Sequence, residues 1–449
     1  MERQLIAGLE KQVGSVVTVS GKVASLRNHG KMVFVDVCDR SGTVQCFMSA
    51  KHHLFSEVCK VSPESAVTVT ALVKERPDKT KTDDVNGSIE CIIEELQVLA
   101  PAEELPFDLH ADVTIDTKFD HRPLTLRRPK DQALFRIQAK ILTAFRQYLT
   151  DADFVEFQAP CIVGGAAEGG AEVFSVDYFG TTASLATSPQ LYKQILVGVF
   201  ERVFCVGQVF RAEKHSTSRH LSEYTSLDFE MGYIDDHRDV MQVLEGCVRH
   251  IVESLERTAS QECALLEATL PMLPDDTFPV MKLTEAQRIL TEKYQISCMG
   301  EPDLAPEHER MLCEYARETK NSDFLFVTHY PVEKRPMYAY EDEDDPGYTK
   351  SFDLLFRGME ISSGGQRIHR YDDLRKKIAT KLPHCNPDET FGFYLQAFKY
   401  GMPPHGGMAV GLERLTAGIV GVANAKEAAL FPRDRGRIDT RIRTEENST

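Results

Sequence analysis

Gly358-Met359-Glu360-Ile361-Ser362-Ser363-Gly364-Gly365-Gln366-Arg367-Ile368-His369 follows an alternating run, Phe352, Leu354 and Phe356, that reads as a half-buried strand. Successive side chains of a strand point to opposite faces, so Asp353 is set apart from Phe352 and Leu354. Beyond the run come Glu360, Ser363, two glycines and Arg367. These are a carboxylate and a hydroxyl suited to a hard cation, a backbone that can be approached closely, and a guanidinium able to grip a carboxylate with two parallel hydrogen bonds. The same residues also describe a polar strand end before a turn. Two further stretches decide between these readings.

The chain has 449 residues, enough for two or three domains with an ample core. A net charge of −16 offers no general polyanion-binding surface, so any nucleic-acid contact needs local basic or aromatic patches. Eleven cysteines are scattered without zinc-site spacing, which fits reduced thiols and a cytoplasmic location. No window approaches the ~20 apolar residues of a membrane span, and no export signal is visible at the N-terminus.

Residues 1–12 read as a short helix. Val16–Leu26, Lys31–Val37, Thr43–Met48, Ala66–Val73 and Ser88–Leu99 read as five strands, with a helix around His53–Lys60 between the third and fourth. Five short strands with one helix in that slot suggest a Greek-key barrel of the oligonucleotide-binding type over residues 1–100. Arg27, Phe34 and Gln45, a cation, a ring and an amide, are its candidates for gripping unpaired bases. For Phe34 alone, crowded by Val33, Val35 and Val37, a place in the barrel core is the favoured reading. The proline-rich residues 101–130 read as a hinge or linker.

Residues 131–449 form the larger domain. It opens with a helix, Asp131–Leu149, whose Leu134, Ile137, Ile141, Phe145 and Tyr148 recur at helical spacing, followed by a strand that Pro160 stops. A glycine-bearing loop holds Glu168 and Glu172, as a flap or a surface turn. Ser188-Pro189-Gln190-Leu191-Tyr192-Lys193 opens a helix with Gln190 and Lys193 on one face. The acidic loop Glu341–Gly347 reads as solvated.

The second decisive stretch is Val209-Phe210-Arg211-Ala212-Glu213 with Arg219-His220-Leu221-Ser222-Glu223-Tyr224 and onward to Glu230. Two apolar strands flank a polar hairpin loop, Lys214–Ser218, and bring Arg211 and Arg219 near its mouth, a pairing suited to a phosphate chain, with Tyr224 able to lie against a purine. The third is Met402 to Gly418, which reads as loop, strand, then helix. Its glycines permit close approach, and Arg414 at the start of the helix can reach a phosphate.

Three segments resemble, in chain order, motifs 1, 2 and 3 of class II aminoacyl-tRNA synthetases: the helix and strand before Pro160, Arg211-Ala212-Glu213 through Glu230, and Gly411-Leu412-Glu413-Arg414. Ser188 to Lys193, Glu168-Gly169-Gly170 and Glu360 to Arg367 are similar to aspartyl-tRNA synthetases of the compact archaeal and eukaryotic type. The resemblance spans nearly the whole chain. It implies an α+β protein: a five-stranded anticodon-binding barrel, then a class II domain with an antiparallel sheet flanked by helices.

The resemblance further implies an ATP-dependent aspartate–tRNA ligase that uses Mg²⁺, binds L-aspartate and tRNA(Asp), and works as a cytoplasmic homodimer. Arg211 and Arg414 would be catalytic. Arg211, Ala212, Glu213, Arg219, His220, Leu221, Tyr224, Glu360, Gly411, Leu412, Glu413 and Arg414 would hold ATP, with Tyr224 stacked on adenine. Glu168, Gln190, Leu191, Tyr192, Lys193, Arg211, Ser363 and Arg367 would hold aspartate, the Lys193 and Arg367 charges facing its side chain. Glu360, Ser363 and Asp353 would take the cation. Ala167 and Thr125 stand where the family often has threonine and aspartate. Aspartylation of tRNA(Asn) stays open, as do two rivals: an asparaginyl-tRNA synthetase and a catalytically silent RNA-binding paralogue.

Overall fold

The computed structural model describes residues 2–82, 86–109, 111–165, 172–213 and 217–442. The chain divides into two compact units, Met1–Ala111 and Asp112–Thr449.

The first unit is a closed barrel of β1 (Val16–Asn28), β2 (Met32–Asp39), β3 (Gly42–Ser49), β4 (Ala66–Glu75) and β5 (Ile89–Ala100). The pairing runs β1-β2-β3-β5-β4, and β4 returns to pair with β1. Every other residue points inward, so Val33, Val35 and Val37 of β2 and Val67, Val69, Ala71 and Val73 of β4 fill the interior. Residues 1–12 differ from the expected helix: Arg3–Gln4 adds a parallel strand to β1, and Ile6–Gln12 is a 3₁₀ turn that buries Ile6 and Leu9 against the barrel.

Part of the stretch expected as a linker is helical. Ile115–Asp120 and Arg122–Thr125 are short helices within the second unit. Buried Arg122 donates to the carbonyls of Glu427, Ala429 and Leu430, which fastens this stretch to the chain's C-terminal part. Helix α1 (Pro129–Asp151) follows, then strand β6 (Val155–Glu156), helix α2 (Gln190–Phe200), strands β7 (Arg202–Phe210) and β8 (Glu223–Gly232), and helix α3 (His237–Thr258). Asp236 caps α3 through the Arg238 N–H, while the Asp239 carboxylate takes the Asp236 N–H.

After β9 (Val280–Lys282) come helix α4 (Pro306–Lys320), strands β10 (Phe324–Thr328), β11 (Ser351–Phe356), β12 (Met359–Arg367) and β13 (His405–Gly411), and helix α5 (Leu412–Val420). The eight strands form one sheet in the order β9-β10-β11-β12-β13-β8-β7-β6, antiparallel except for the two edge pairings. The opening stretch is therefore a central strand, not a strand end before a turn. Its Gly364 lies where a Cβ would meet the Phe352 ring at 2.5 Å and the Gly407 carbonyl at 2.7 Å. The close approach these glycines allow is between strands of the sheet itself.

The main core forms where α1 and α3 lay Leu134, Ile137, Ile141, Phe145, Leu244, Val248 and Ile251 over Phe204, Phe229, Phe352 and Met408. Phe324 stacks between Phe278 and Phe356, with ring centroids at 4.8 and 4.4 Å. Asp342, in the acidic loop expected to be solvated, is instead buried, with its carboxylate 3.1 Å from His329 and 3.8 Å from Lys350.

Candidate active site

Adjacent strands β8, β13 and β12 and the start of α5 wall a cleft. From the motif around β8 it takes Arg211, Glu213, Arg219, His220, Leu221 and Tyr224. From β12 it takes Glu360 and Ser363, and from the β13–α5 junction Gly411, Glu413 and Arg414. Ser226, Ile361, Ser362, Ala409 and Ala425 complete the lining and are not singled out by their sequence. The antiparallel register explains the assembly: Ser226 faces Gly411, and Ser363 faces Ala409.

Several charged groups of the cleft already have partners within the protein. Arg219 donates to Glu309 of α4 at 2.6 Å and to the Gly358 carbonyl at 2.7 Å. Arg414 donates to the Glu360 carbonyl at 3.0 Å, its guanidinium 4.0 Å from the Glu360 carboxylate. Arg211 lies with its guanidinium 5.7 Å from the centre of the Tyr224 ring. Glu413 accepts the Thr225 N–H at 3.0 Å, tying α5 to β8, and burial pushes its carboxyl up to about 7. Desolvation by its neighbours raises Glu360 to about 7, with Asp353 and Glu309 adding negative charge, although its side chain is 37% exposed. Ala212 lines a separate apolar pocket with Phe174 and Arg433, and Leu412 is a core residue.

Lys193 and Arg367 meet on one carboxylate. Lys193 Nζ is 3.3 Å from Glu230 Oε2, and Arg367 Nε donates to Glu230 Oε1 at 2.9 Å. Lys193 also donates to Asp228 at 2.9 Å and to the Met408 carbonyl at 2.9 Å. Arg367 donates to the Gly407 carbonyl at 2.9 Å. Burial works against charge on Glu230, but Arg367 and Lys193 hold its carboxyl below the ordinary value. Both cations are buried and neither lines the cleft described above. A pair waiting unpartnered is not what forms here, because an isolated charge cannot be kept at this depth.

Beneath this pair lies a second polar layer. Gln190 Nε2 and the Tyr394 hydroxyl donate to Gln194 Oε1, and Gln194 Nε2 lies 2.9 Å from His405 Nε2. Burial pushes His405 down to about 4. Gln190 is buried rather than on a solvated face, and Leu191 packs into the core beside it, with Tyr192 half-buried. Glu168, the loop around it and Lys214–Ser216 lie outside the described residues.

Asp353 pairs in register with Ser363 across β11 and β12. Arg335 joins them, donating to Asp353 Oδ2 at 2.8 Å and to Ser363 Oγ at 3.1 Å, with its guanidinium 3.9 Å above the Tyr330 ring. Asp353 Oδ1 is buried and accepts no hydrogen bond of good geometry. Arg335, Glu309, Asp228, Gln194 and His405 all serve this region unannounced. Arg335 and Glu309 stand apart from every motif, whereas Asp228 and His405 lie inside the second and third decisive stretches and Gln194 directly follows Lys193, with nothing in the sequence to mark their roles. Glu230 closes the second decisive stretch, but nothing in the sequence marks it as the shared carboxylate.

On the barrel, Phe34 points outward rather than into the core, because Val33 and Val35 take the inward positions. It packs against Phe47 at 6.1 Å and His29 at 5.7 Å. Arg27 lies opposite Phe34 and Gln45 opposite Asp36, so the three candidates share one face. Arg27 is held there by Asp36 at 2.7 Å.

Residues 114–435 match the profile of "tRNA synthetases class II (D, K and N)", and residues 17–101 that of "OB-fold nucleic acid binding domain". The Aspartate–tRNA(Asp/Asn) ligase of Thermus thermophilus is 45% identical over 97% of this chain and 99% of its own length. The asparaginyl-tRNA synthetase of Pyrococcus horikoshii, solved with asparaginyl-adenylate, is 30% identical and superposes with a TM-score of 0.88 over 98% of this chain and 99% of its own. The aspartyl-tRNA synthetase of Entamoeba histolytica is 29% identical, with a TM-score of 0.85 over 98% of this chain and 93% of its own. A three-arginine cleft on an antiparallel sheet, preceded by an oligonucleotide-binding barrel, agrees with these matches, and the chain belongs to the aspartate–tRNA ligase family of class II tRNA synthetases.

Proposed function

We propose that the chain activates L-aspartate with ATP and transfers the aspartyl group to the 3′ end of tRNA(Asp). The observation that carries this reading is the convergence of Arg211, Arg219 and Arg414 with Glu360 and Ser363 in one cleft, over a strand whose next cation, Arg367, is locked to Lys193 through Glu230. The substrate carboxylate attacks the α-phosphorus in line and pyrophosphate leaves. The adenylate then passes its acyl group to a ribose hydroxyl of the tRNA terminus. No general base is required, since a carboxylate is ionised at neutral pH. Catalysis is then positioning and charge neutralisation.

In this reading Arg211 contacts the α-phosphate and the substrate carboxylate. Glu213, Arg219, His220, Tyr224 and Arg414 grip the rest of ATP, and Arg211 gives up the Tyr224 ring to adenine. Gln190, Lys193, Ser363 and Arg367 serve aspartate. Hard oxygen donors suit Mg²⁺, and the oxygens of Glu360, Ser363 and Asp353 fit it by chemistry. When bound, the ion would neutralise phosphate charge.

A second reading, activation of asparagine, draws on one observation: Lys193 and Arg367 already have carboxylate partners, so their charge alone does not exclude a neutral side chain. Pyrophosphate exchange driven separately by L-aspartate and L-asparagine decides. Aspartate-dependent exchange with none from asparagine is expected, and the reverse overturns the assignment. Charging tRNA(Asp) and tRNA(Asn) transcripts in parallel then shows whether the barrel face of Arg27, Phe34 and Gln45 admits both. We further infer a cytoplasmic homodimer built on α1 and the edge strand β6, whose Val155 is 43% exposed. No helix among the described residues is long and apolar enough to cross a membrane.

A further inference from the structure

Arg335 is an arginine that the proposed chemistry does not use, yet it is wedged among the groups assigned to the cation. Its guanidinium takes one oxygen of Asp353 and the hydroxyl of Ser363, and it stacks on the buried ring of Tyr330. Only 15% of its side chain is exposed. Nearby, Arg414 faces Glu360 and Arg219 holds Glu309, so three guanidinium groups offset the carboxylates of Asp353, Glu360 and Glu309. Carboxylates already faced by guanidinium groups give a divalent ion little reason to shed its water. Without Arg335 the two remaining guanidinium groups would face three carboxylates, and the surplus negative charge would draw a divalent ion in. The phosphates of ATP bring the missing negative charge.

We propose that Arg335 is a built-in counter-cation that keeps the free protein from holding a divalent ion at Asp353, Glu360 and Ser363, so that the ion is taken up with the nucleotide. This rests on the reading of Glu360 and Ser363 as cation donors. Arg335 acts through Asp353 and Ser363 and is a positioning residue, not a catalytic one.

The test is Mn²⁺ binding to the full chain, followed by the electron paramagnetic resonance of free Mn²⁺, with and without ATP. Wild type binds weakly alone and roughly tenfold or more tightly with ATP. Arg335→Met binds Mn²⁺ without ATP at least roughly tenfold more tightly than wild type, while Arg335→Lys, which keeps the charge, stays near wild type. The gain disappears in the Arg335→Met, Glu360→Gln double variant. Unchanged or weaker binding by Arg335→Met overturns the proposal, as does an equal gain in Arg335→Lys. Thermal melting supplies a second readout: saturating Mn²⁺ raises the midpoint of Arg335→Met more than that of wild type. Failure of both Arg335→Met and Arg335→Gln to fold even in saturating Mn²⁺ also counts against it, since the ion should replace the lost charge. If wild type shows no Glu360-dependent Mn²⁺ binding with ATP, the assignment of the cation donors fails instead.

Discussion

At the scale of single residues the site is a problem in charge accounting. Glu230 joins Lys193 to Arg367, and its carboxylate sits so close to the backbone that Gly407 has no room for a side chain: an added Cβ would run into Glu230 and the Phe229 carbonyl. Gly407→Ala should therefore push Glu230 off Arg367, cost about 1–3 kcal/mol of stability by overpacking, and lower aspartate-dependent pyrophosphate exchange more than it lowers ATP binding. Retention of both would show that the carboxylate bridge is not needed. Lys193, Arg367 and Glu360 are visible in the sequence because their types are rare in apolar surroundings. What is not visible is the partner each has to find. Asp228 and Glu230 lie on β8, far in sequence from Lys193 and Arg367, and Arg335 lies in the connection between β10 and β11, so the fold alone brings these partners in.

At the scale of elements, alternation decides more than crowding. The valines beside Phe34 suggest a core ring, but a period of two puts Val33 and Val35 inside and Phe34 outside, with Phe47 beside it. Phe34→Ala is expected to weaken tRNA binding by about 1–3 kcal/mol, the range for one stacked base, and to leave amino-acid activation untouched. Unchanged KM for tRNA would remove Phe34 from the interface. The strands and long helices are legible because their apolar periods are regular, as in Leu134, Ile137 and Ile141 of α1. The stretch 101–130 misleads because its prolines are read as linker signals. Two of them, Pro123 and Pro129, instead sit in the first turn of a helix, where a missing N–H costs nothing.

At the scale of the molecule, buried polar layers make stability depend on pH. His405 is neutral in the folded protein, with burial lowering it to about 4 from 6.5, and Gln194 and the Pro403 carbonyl hold its two nitrogens. The unfolded chain binds the proton more readily, so this residue's contribution is present above pH 6.5 and is lost as pH falls toward 4, by about 3 kcal/mol in all. His237, also lowered to about 4 by burial, acts with the same sign, whereas Glu413, raised to about 7, opposes it between pH 4.5 and 7. The informative quantity is a difference. Urea unfolding at pH 7 and pH 5 should show a smaller loss for His405→Asn than for wild type, and equal losses would mean that His405 is not the proton acceptor.

The same scale carries the expectation of a two-fold assembly: light scattering at micromolar concentration should give twice the 50.5 kDa chain mass, and a monomer mass would count against it.

In the proposed function Arg367, seated on Glu230 beside Lys193, reads the acidic side chain of the substrate. Aspartate-dependent pyrophosphate exchange by a folded Arg367→Leu variant tests it most directly. Exchange is expected to be abolished while ATP still binds; near-normal exchange would remove Arg367 from substrate recognition.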